Sequence, residues 1–289
     1  MDATSGTLST VRQRRLARIL RRLREDAGLT IDQVAEKLEL SPSTISRIET
    51  AQVSVRPRDV RELLDIYAVN EVQRAQLMDL ARAGRQQAWW HEYRDVPSVP
   101  LAGLEADAAF IRQFSALLIP GLLQTRDYAT AVIRAIRHDA AADEVEQRLE
   151  LRMHRQEQLT HKEAPDFWVV LDEAVLRRPI GEPEVMHGQL QRLIDASDLP
   201  NVTLQVLPFS AGPHAGMDGE FTIFSYRDPA DPDVVYIENT GGDLYLERDD
   251  KTRRYRLIFS HLQAAALNPV DSVRALTNVQ QELQVRERG

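Results

Sequence analysis

Residues 29–49 read LTIDQVAEKLELSPSTISRIE, and this stretch decides the fold of the N-terminal part of the chain. Val34, Leu38, Ile45 and Ile48 fall at helical spacing, so two short helices each bury one face. Thr30, with Gln33 three positions on, is a capping box for the first. Ser41 caps the second, and Pro42 occupies its first turn, where a missing N–H costs nothing. Small Ala35 lets the two helices approach. With Ile45 and Ile48 turned inward, Ser43, Thr44, Ser46 and Arg47 remain outside. A helix of that size, set after a tight turn, suits the major groove of DNA. Arg47 can donate two hydrogen bonds to a guanine edge, worth ~1–3 kcal/mol of discrimination. Ser43 and Thr44 are short enough to serve bases or phosphates.

Working outward, Leu16, Ile19, Leu20 and Leu23 predict a helix from Val11 to Ala27, closed by Gly28 in the left-handed conformation. Its arginines are expected largely on the opposite, solvent face. A fourth helix, Pro57 to Tyr67, buries Val60, Leu63, Leu64 and Tyr67. A fifth starts after Asn70 and buries Val72, Leu77 and Leu80. Arg56 and Arg58, following where the loop leads into helix four, suit phosphates, which position a protein on DNA without reading sequence.

The charge is divided the same way. The 289 residues carry a net charge of −8, yet residues 1–90 hold 15 Lys and Arg against 12 Asp and Glu, and residues 91–289 hold 21 against 32. Seven arginines and no acid lie between Arg12 and Arg24. A basic head on an acidic body fits a DNA-binding head whose body avoids DNA. With no cysteine, disulfides and thiolate metal sites are excluded. No apolar run approaches the ~18 residues of a membrane span, and the polar, Arg-rich N-terminus has no signal-peptide core. A soluble cytoplasmic protein is expected.

The pattern LT-x-x-x-x-A-x-x-L-x-x-S-x-S-x-I-S-R-I-E resembles the phage-repressor-like (Xre/Cro) helix-turn-helix group. Glu39 stands where that group usually has Gly in the turn, and Ile31 where many members have a phosphate-contacting Gln. The DNA-facing set is therefore Thr30, Gln33, Ser41, Ser43, Thr44, Ser46, Arg47, Arg56 and Arg58. Farther along, Trp89-Trp90, Gly103-Leu104-Glu105, and Pro120-Gly121-Leu122-Leu123-Gln124-Thr125 with Tyr128-Ala129 resemble actinomycete regulators that carry a conserved uncharacterised C-terminal domain. These are catalogued as antitoxin-like. That resemblance implies a transcription regulator whose body binds a small protein from a neighbouring gene. A ligand pocket in the body, making it a small-molecule sensor, is the alternative. A homodimer on a palindromic operator in double-stranded DNA is expected, with no cofactor, no membrane and no enzymatic role.

Domains are expected at residues 1–85 and 86–289, the latter split into a helical part (86–165) and an α+β part (166–289). With no Pro/Gly-rich linker between them, helix five is expected to run on into the body. In the body, Leu104, Ala108 and Ile111 read as one helical stripe, and Asp143 to Leu159 as a polar helix burying Val145, Leu149 and Met153. Phe167 to Leu171 is a buried strand, Glu182 to Ala196 a helix and Val202 to Leu207 a strand, a unit expected to cross over right-handed. Strands follow at Glu220–Tyr226, Val234–Glu238 and Leu244–Glu247, with antiparallel pairing. A helix from near Asp250 buries Tyr255, Ile258, Phe259 and Leu262. Another, after Asn268-Pro269, buries Val273, Leu276, Val279 and Leu283. The fold class is thus an all-α five-helix head plus an α+β body around one mixed sheet of about five strands.

Other constellations carry less. His154, Glu157 and His161 share a helix face, but Arg152, Arg155 and Lys162 beside them repel a cation, so a solvated face is the better reading. Ser210, His214 and Asp218 lie close in sequence without a nucleophile elbow. PFSAGPHAGMDG reads as a loop able to cover a pocket or a partner, which makes His214 a candidate contact. Asp231, Asp233 and Glu238 lack the lysine a nuclease site needs. Trp89, Trp90 and Tyr93 either staple head to body or line a partner or ligand groove.

Overall fold

The computed structural model describes residues 11–53, 55–83, 93, 96, 99–229, 231–239 and 242–288. It falls into two compact units, Met1–Asp107 and Ala108–Gly289. The boundary expected at 85/86, the run-on of helix five and both tryptophans at 89 and 90 lie outside the described residues.

The first unit holds helices α1 (Val11–Asp26), α2 (Ile31–Lys37), α3 (Pro42–Glu49), α4 (Pro57–Ile66), α5 (Glu71–Ala83) and α6 (Val99–Asp107). Leu20, Val34, Val60 and Leu64 are fully buried at its centre, with Ile45 and Leu63 beside them. α6 packs against α1. Val72, expected in the core, is 73% exposed. It sits in the first turn of α5, where the inward stripe is carried instead by Leu77, Met78 and Ala81.

Four successive helices end alike. After α1, Leu29 N–H reaches Arg24 O and Gly28 N–H reaches Glu25 O; the same 6→1 and 5→2 pairs follow α2 at Leu40 and Glu39, α3 at Gln52 and Ala51, and α4 at Val69 and Ala68. This is the Schellman motif, which needs a left-handed residue just past the helix. Glycine supplies it only at Gly28; Glu39, Ala51 and Ala68 adopt φ of 54°, 55° and 53°. The turn between α2 and α3 is therefore of ordinary geometry, and Glu39 bears the cost of its Cβ.

The second unit is built on one mixed six-stranded sheet: β1 (Phe110–Ser115), β2 (Asp166–Asp172), β3 (Val202–Leu207), β4 (Phe221–Ser225), β5 (Val234–Ile237) and β6 (Leu244–Leu246), in the order β3-β2-β1-β4-β5-β6. β1 pairs parallel with β2, and β2 with β3; the other pairings are antiparallel. β1 corrects an expectation: the stripe Leu104, Ala108, Ile111 is not one helix. α6 stops at Asp107, and Ala109 already bonds Ser225 O and Asp166 N–H as strand backbone. Three coincident apolar positions satisfied a helical period across a helix–strand junction.

The helices of this unit are α7 (Arg126–Ile136), α8 (Ala142–Gln156), α9 (Glu173–Arg177), α10 (Pro183–Ala196), α11 (Asp249–Ala265) and α12 (Pro269–Arg288). Phe114, Val170, Phe221, Ile223 and Val235 form a core with Phe259 and Leu262 of α11, with Tyr255 and Ile258 partly buried at its edge. Ile111, Val169, Leu171, Leu204 and Phe224 alternate with that set and are buried as well. Burial on both faces accounts for the unbroken apolar run in β2. At the outer edge of β3, Val206 N–H donates to Ser272 Oγ (2.9 Å) and Val206 O accepts from Leu267 N–H (2.9 Å).

Candidate nucleic-acid interface

The interface is built from the caps upward. Thr30 Oγ1 accepts from Gln33 N–H at 3.2 Å, and Gln33 Oε1 accepts from Thr30 N–H at 2.9 Å. Both side chains are exposed; Thr30 Oγ1 and Gln33 Oε1 fix the start of α2, and the Gln33 Nε2 amide takes no part in the cap. Ser41 Oγ likewise accepts from Thr44 N–H at 3.2 Å and lies within 2.9 Å of Ser43 Oγ and 2.8 Å of Thr44 Oγ1. Ile45, Ile48 and Glu49 of α3 face the core, while Ser43 and Arg47 are exposed and Thr44 and Ser46 half-buried.

The cations divide into bound and free. Arg47 and Arg56 are exposed, and no carboxylate among the described residues pairs with either; Arg22 and Arg61 share that condition. Arg58 is tied to Glu62 at 3.0 Å, so its charge is partly answered within α4. Arg21 pairs with Glu25 at 2.9 Å. Arg24 is an exception to the outward arginine face, on which Arg18, Arg21 and Arg22 are exposed. Its Nε and Nη2 grip Glu49 at 2.7 and 3.0 Å, and its Nη1 donates to Leu29 O at 2.8 Å. With side-chain exposures of 11% and 5%, the pair ties α1 to the C-terminal end of α3. The Glu49 hydrogen bond and charge raise the guanidinium above its usual value, against the desolvation that opposes it. Burial, seconded by the charge of Glu49, raises the nearby Tyr67 phenol. Glu49 stands on the stripe Ile45–Ile48–Glu49, and an acid on a buried stripe requires a partner. That was the available signal for Arg24.

In the second unit, His214 does not assemble with Ser210 and Asp218. Its Nε2 lies 3.5 Å from Asp172 Oδ2, its Nδ1 accepts from Gly216 N–H at 3.2 Å, and its ring meets Phe114 edge-on at 5.7 Å. Gly216 is pressed so closely on Phe114 that a Cβ there would stand 2.4 Å from the ring. The loop is thus packed down, with Phe209 and Met217 exposed around it. Glu220 Oε1 accepts from Ala116 and Leu117 N–H, both at 2.6 Å. Burial raises its carboxyl above the usual range, and these amides only partly offset that. His154 lies 3.5 Å from Glu157, while Asp233 is taken by Arg256 at 2.8 Å. Tyr93 is half-buried.

The segment Pro120–Thr125 is clasped by side chains. Gln124 Nε2 donates to Ile119 O (2.6 Å) and its Oε1 accepts from Arg152 (2.7 Å). Gln156 donates to Gly121 O and Gln124 O (2.8 and 2.7 Å). Gln189, fully buried, accepts from Thr125 N–H (2.7 Å) and donates to Leu123 O (2.8 Å).

Comparison with known families finds two matches in the chain. A model described as a helix-turn-helix domain matches residues 15–77. A model described as a domain of unknown function, DUF5753, matches residues 99–278, more than half of the chain. The chain belongs to the DUF5753 family. No curated protein and no solved structure matches it. The DUF5753 match begins at the first residue of α6 and so includes the Gly103-Leu104-Glu105 signature, in which Leu104 and Glu105 are buried. It also takes in the Pro120–Thr125 clasp, where the signature glutamine neutralises backbone groups of a tight turn. The helix-turn-helix match spans α2 and α3, and this domain supports a DNA-binding regulator. No helix among the described residues is long and apolar enough to cross a membrane.

Proposed function

We propose that this DUF5753 protein is a sequence-specific transcription regulator of the Xre type that binds a two-fold operator as a homodimer. The observation that carries this reading is Arg47: exposed, unpaired, and displayed on a helix whose start is capped by Ser41 and whose end is anchored through Glu49. A guanidinium held this way reaches a base edge without first breaking an ion pair. Arg56, equally free at the start of α4, meets phosphate. Half-sites about one helical turn apart are then read by paired copies of α3. Selection of bound fragments from the host genome tests the proposal. A shared palindrome lost with Arg47→Ala supports it, and equal recovery of all fragments refutes it.

The DUF5753 unit supplies the regulatory half in this scheme and engages a small partner protein from a neighbouring gene, as the antitoxin-like resemblance implies. The acidity of residues 91–289 supports a contact with protein over one with DNA. Co-purification of the full chain with the neighbouring gene product tests this part; absence of a complex at micromolar concentration refutes it.

A further inference from the structure

Three hydroxyls at the start of α3 form a chain with Ser41 at its centre. A hydroxyl carries one proton and two acceptor lone pairs. The Thr44 N–H, in a three-centre bond with Ser41 O at 2.9 Å and Ser41 Oγ at 3.2 Å, engages one lone pair of that hydroxyl. Only one remains, so Ser43 and Thr44 cannot both donate to Ser41. One donates, and the other accepts the Ser41 proton. The accepting end keeps its own proton free to point outward, while the donating end has only lone pairs to offer. The two ends therefore always differ in character, and they exchange it together.

Resting on the DNA-binding reading, we infer that the Ser43–Ser41–Thr44 hydroxyl chain is a specificity determinant, in which a phosphate held at one end dictates the base accepted at the other. Phosphate oxygens only accept, so the end that meets phosphate must donate. Ser43 is exposed and stands one turn before Arg47 on the same face of α3, while Thr44 is half-buried. Ser43 is accordingly the base-reading end and Thr44 the phosphate end. With the Thr44 proton directed to phosphate, Thr44 accepts from Ser41, Ser41 accepts from Ser43, and Ser43 shows lone pairs to the groove. It then matches the amino group of adenine or cytosine and mismatches the acceptor edges of guanine and thymine. Arg47, a pure donor, reads the opposite character on the same face.

The test is selection from a randomised duplex pool with the full-length wild type, Ser43→Ala, Thr44→Val and Thr44→Ser. All four keep the Ser41 cap and the Thr44 amide. Ser43→Ala identifies the position Ser43 reads, as the one whose preference it flattens. There the wild type favours adenine or cytosine by roughly fivefold, the scale of one hydrogen bond. Thr44→Val releases Ser43 to donate as well as accept, and the preference falls towards onefold while the Arg47 guanine persists. Thr44→Ser restores the wild-type profile. A Thr44→Val profile equal to wild type, or wild-type enrichment of guanine or thymine at that position, overturns the inference. A wild type that enriches no sequence at all refutes the DNA-binding reading beneath it, and the two failures are thus told apart.

Discussion

Glu49→Leu should unfold much of the advantage that the first unit holds over its denatured chain. The substitution leaves Arg24, with 11% side-chain exposure, without its carboxylate. Removing one partner of a buried ion pair costs about 3–5 kcal/mol; the lower end applies here, because the poorly solvated guanidinium keeps the half-exposed Glu25 carboxylate at 3.7 Å and the Leu29 carbonyl. Whole domains are stable by only ~5–15 kcal/mol, and in a unit of this size each kcal/mol moves the melting temperature by roughly 4–8 °C. Arg24→Met with Glu49→Leu removes both charges together and should recover most of the loss. It should still fall short of the wild type by about 1 kcal/mol, since Leu29 O loses the Arg24 Nη1 hydrogen bond at 2.8 Å. Native-state hydrogen exchange at amides of α1 and α3 in the full chain reads these free energies without interference from the second unit. A loss below 1 kcal/mol for Glu49→Leu, or a double variant no more stable than that single one, would refute the argument that the pair is closed to solvent.

Four further outcomes follow from the described geometry. Arg56→Ala weakens binding to all duplexes alike and lowers the salt slope by about one, whereas Arg58→Ala does less, because Glu62 already holds that guanidinium; binding titrations at several salt concentrations separate them. Glu39→Gly, Ala51→Gly and Ala68→Gly each relieve a left-handed Cβ and stabilise the first unit by about 0.5–1 kcal/mol after the added chain entropy of glycine; a loss at all three in urea titration contradicts the strain. Gly216→Ala drives a methyl into Phe114 and costs the second unit about 1–3 kcal/mol, seen as a lower urea midpoint. Finally, the folded Glu220 carboxyl titrates above its unfolded value. Between those two values the native state holds the extra proton, so this group's contribution to stability falls as pH rises through the folded pKa and is regained on acidification. Glu220→Gln, measured by unfolding across that range, removes the slope.

The helical head was legible because its signals are local. Thr30 with Gln33, Ser41 with Pro42, and Gly28 each act within four residues, and α1 to α5 lie within a residue or two of where those signals put them. The strands β2 to β5 were legible for a related reason: short apolar runs bounded by turns. Failures came where distance in sequence mattered. β1 is defined by partners 56 and more positions away, Asp166 and Ser225 for its first residue, and its own residues also fit a helical stripe. Arg24 reads as one more surface arginine until Glu49, 25 residues on, is seen to need it. The hydroxyl chain of Ser41, Ser43 and Thr44 was present as three candidate contacts, but their mutual dependence appears only once Oγ atoms lie within 3 Å of one another. His214 lies beside Asp172 and not with Ser210 and Asp218, because its loop packs on the end of β2, a strand 42 positions back.

The closed margin of β3 has a bearing on behaviour at high concentration. An open strand margin offers unpaired amides and carbonyls to any neighbouring chain, and this is how sheets grow into fibrils. Here Ser272 and Leu267 already occupy Val206, so the longer parallel side offers no template at that point. At the far side the edge is the three-residue β6, too short to register a foreign strand well. Ser272→Ala, which removes the hydroxyl and keeps the Ser272 N–H bonded to Asn268 O, should therefore lower the concentration at which the purified protein begins to bind thioflavin.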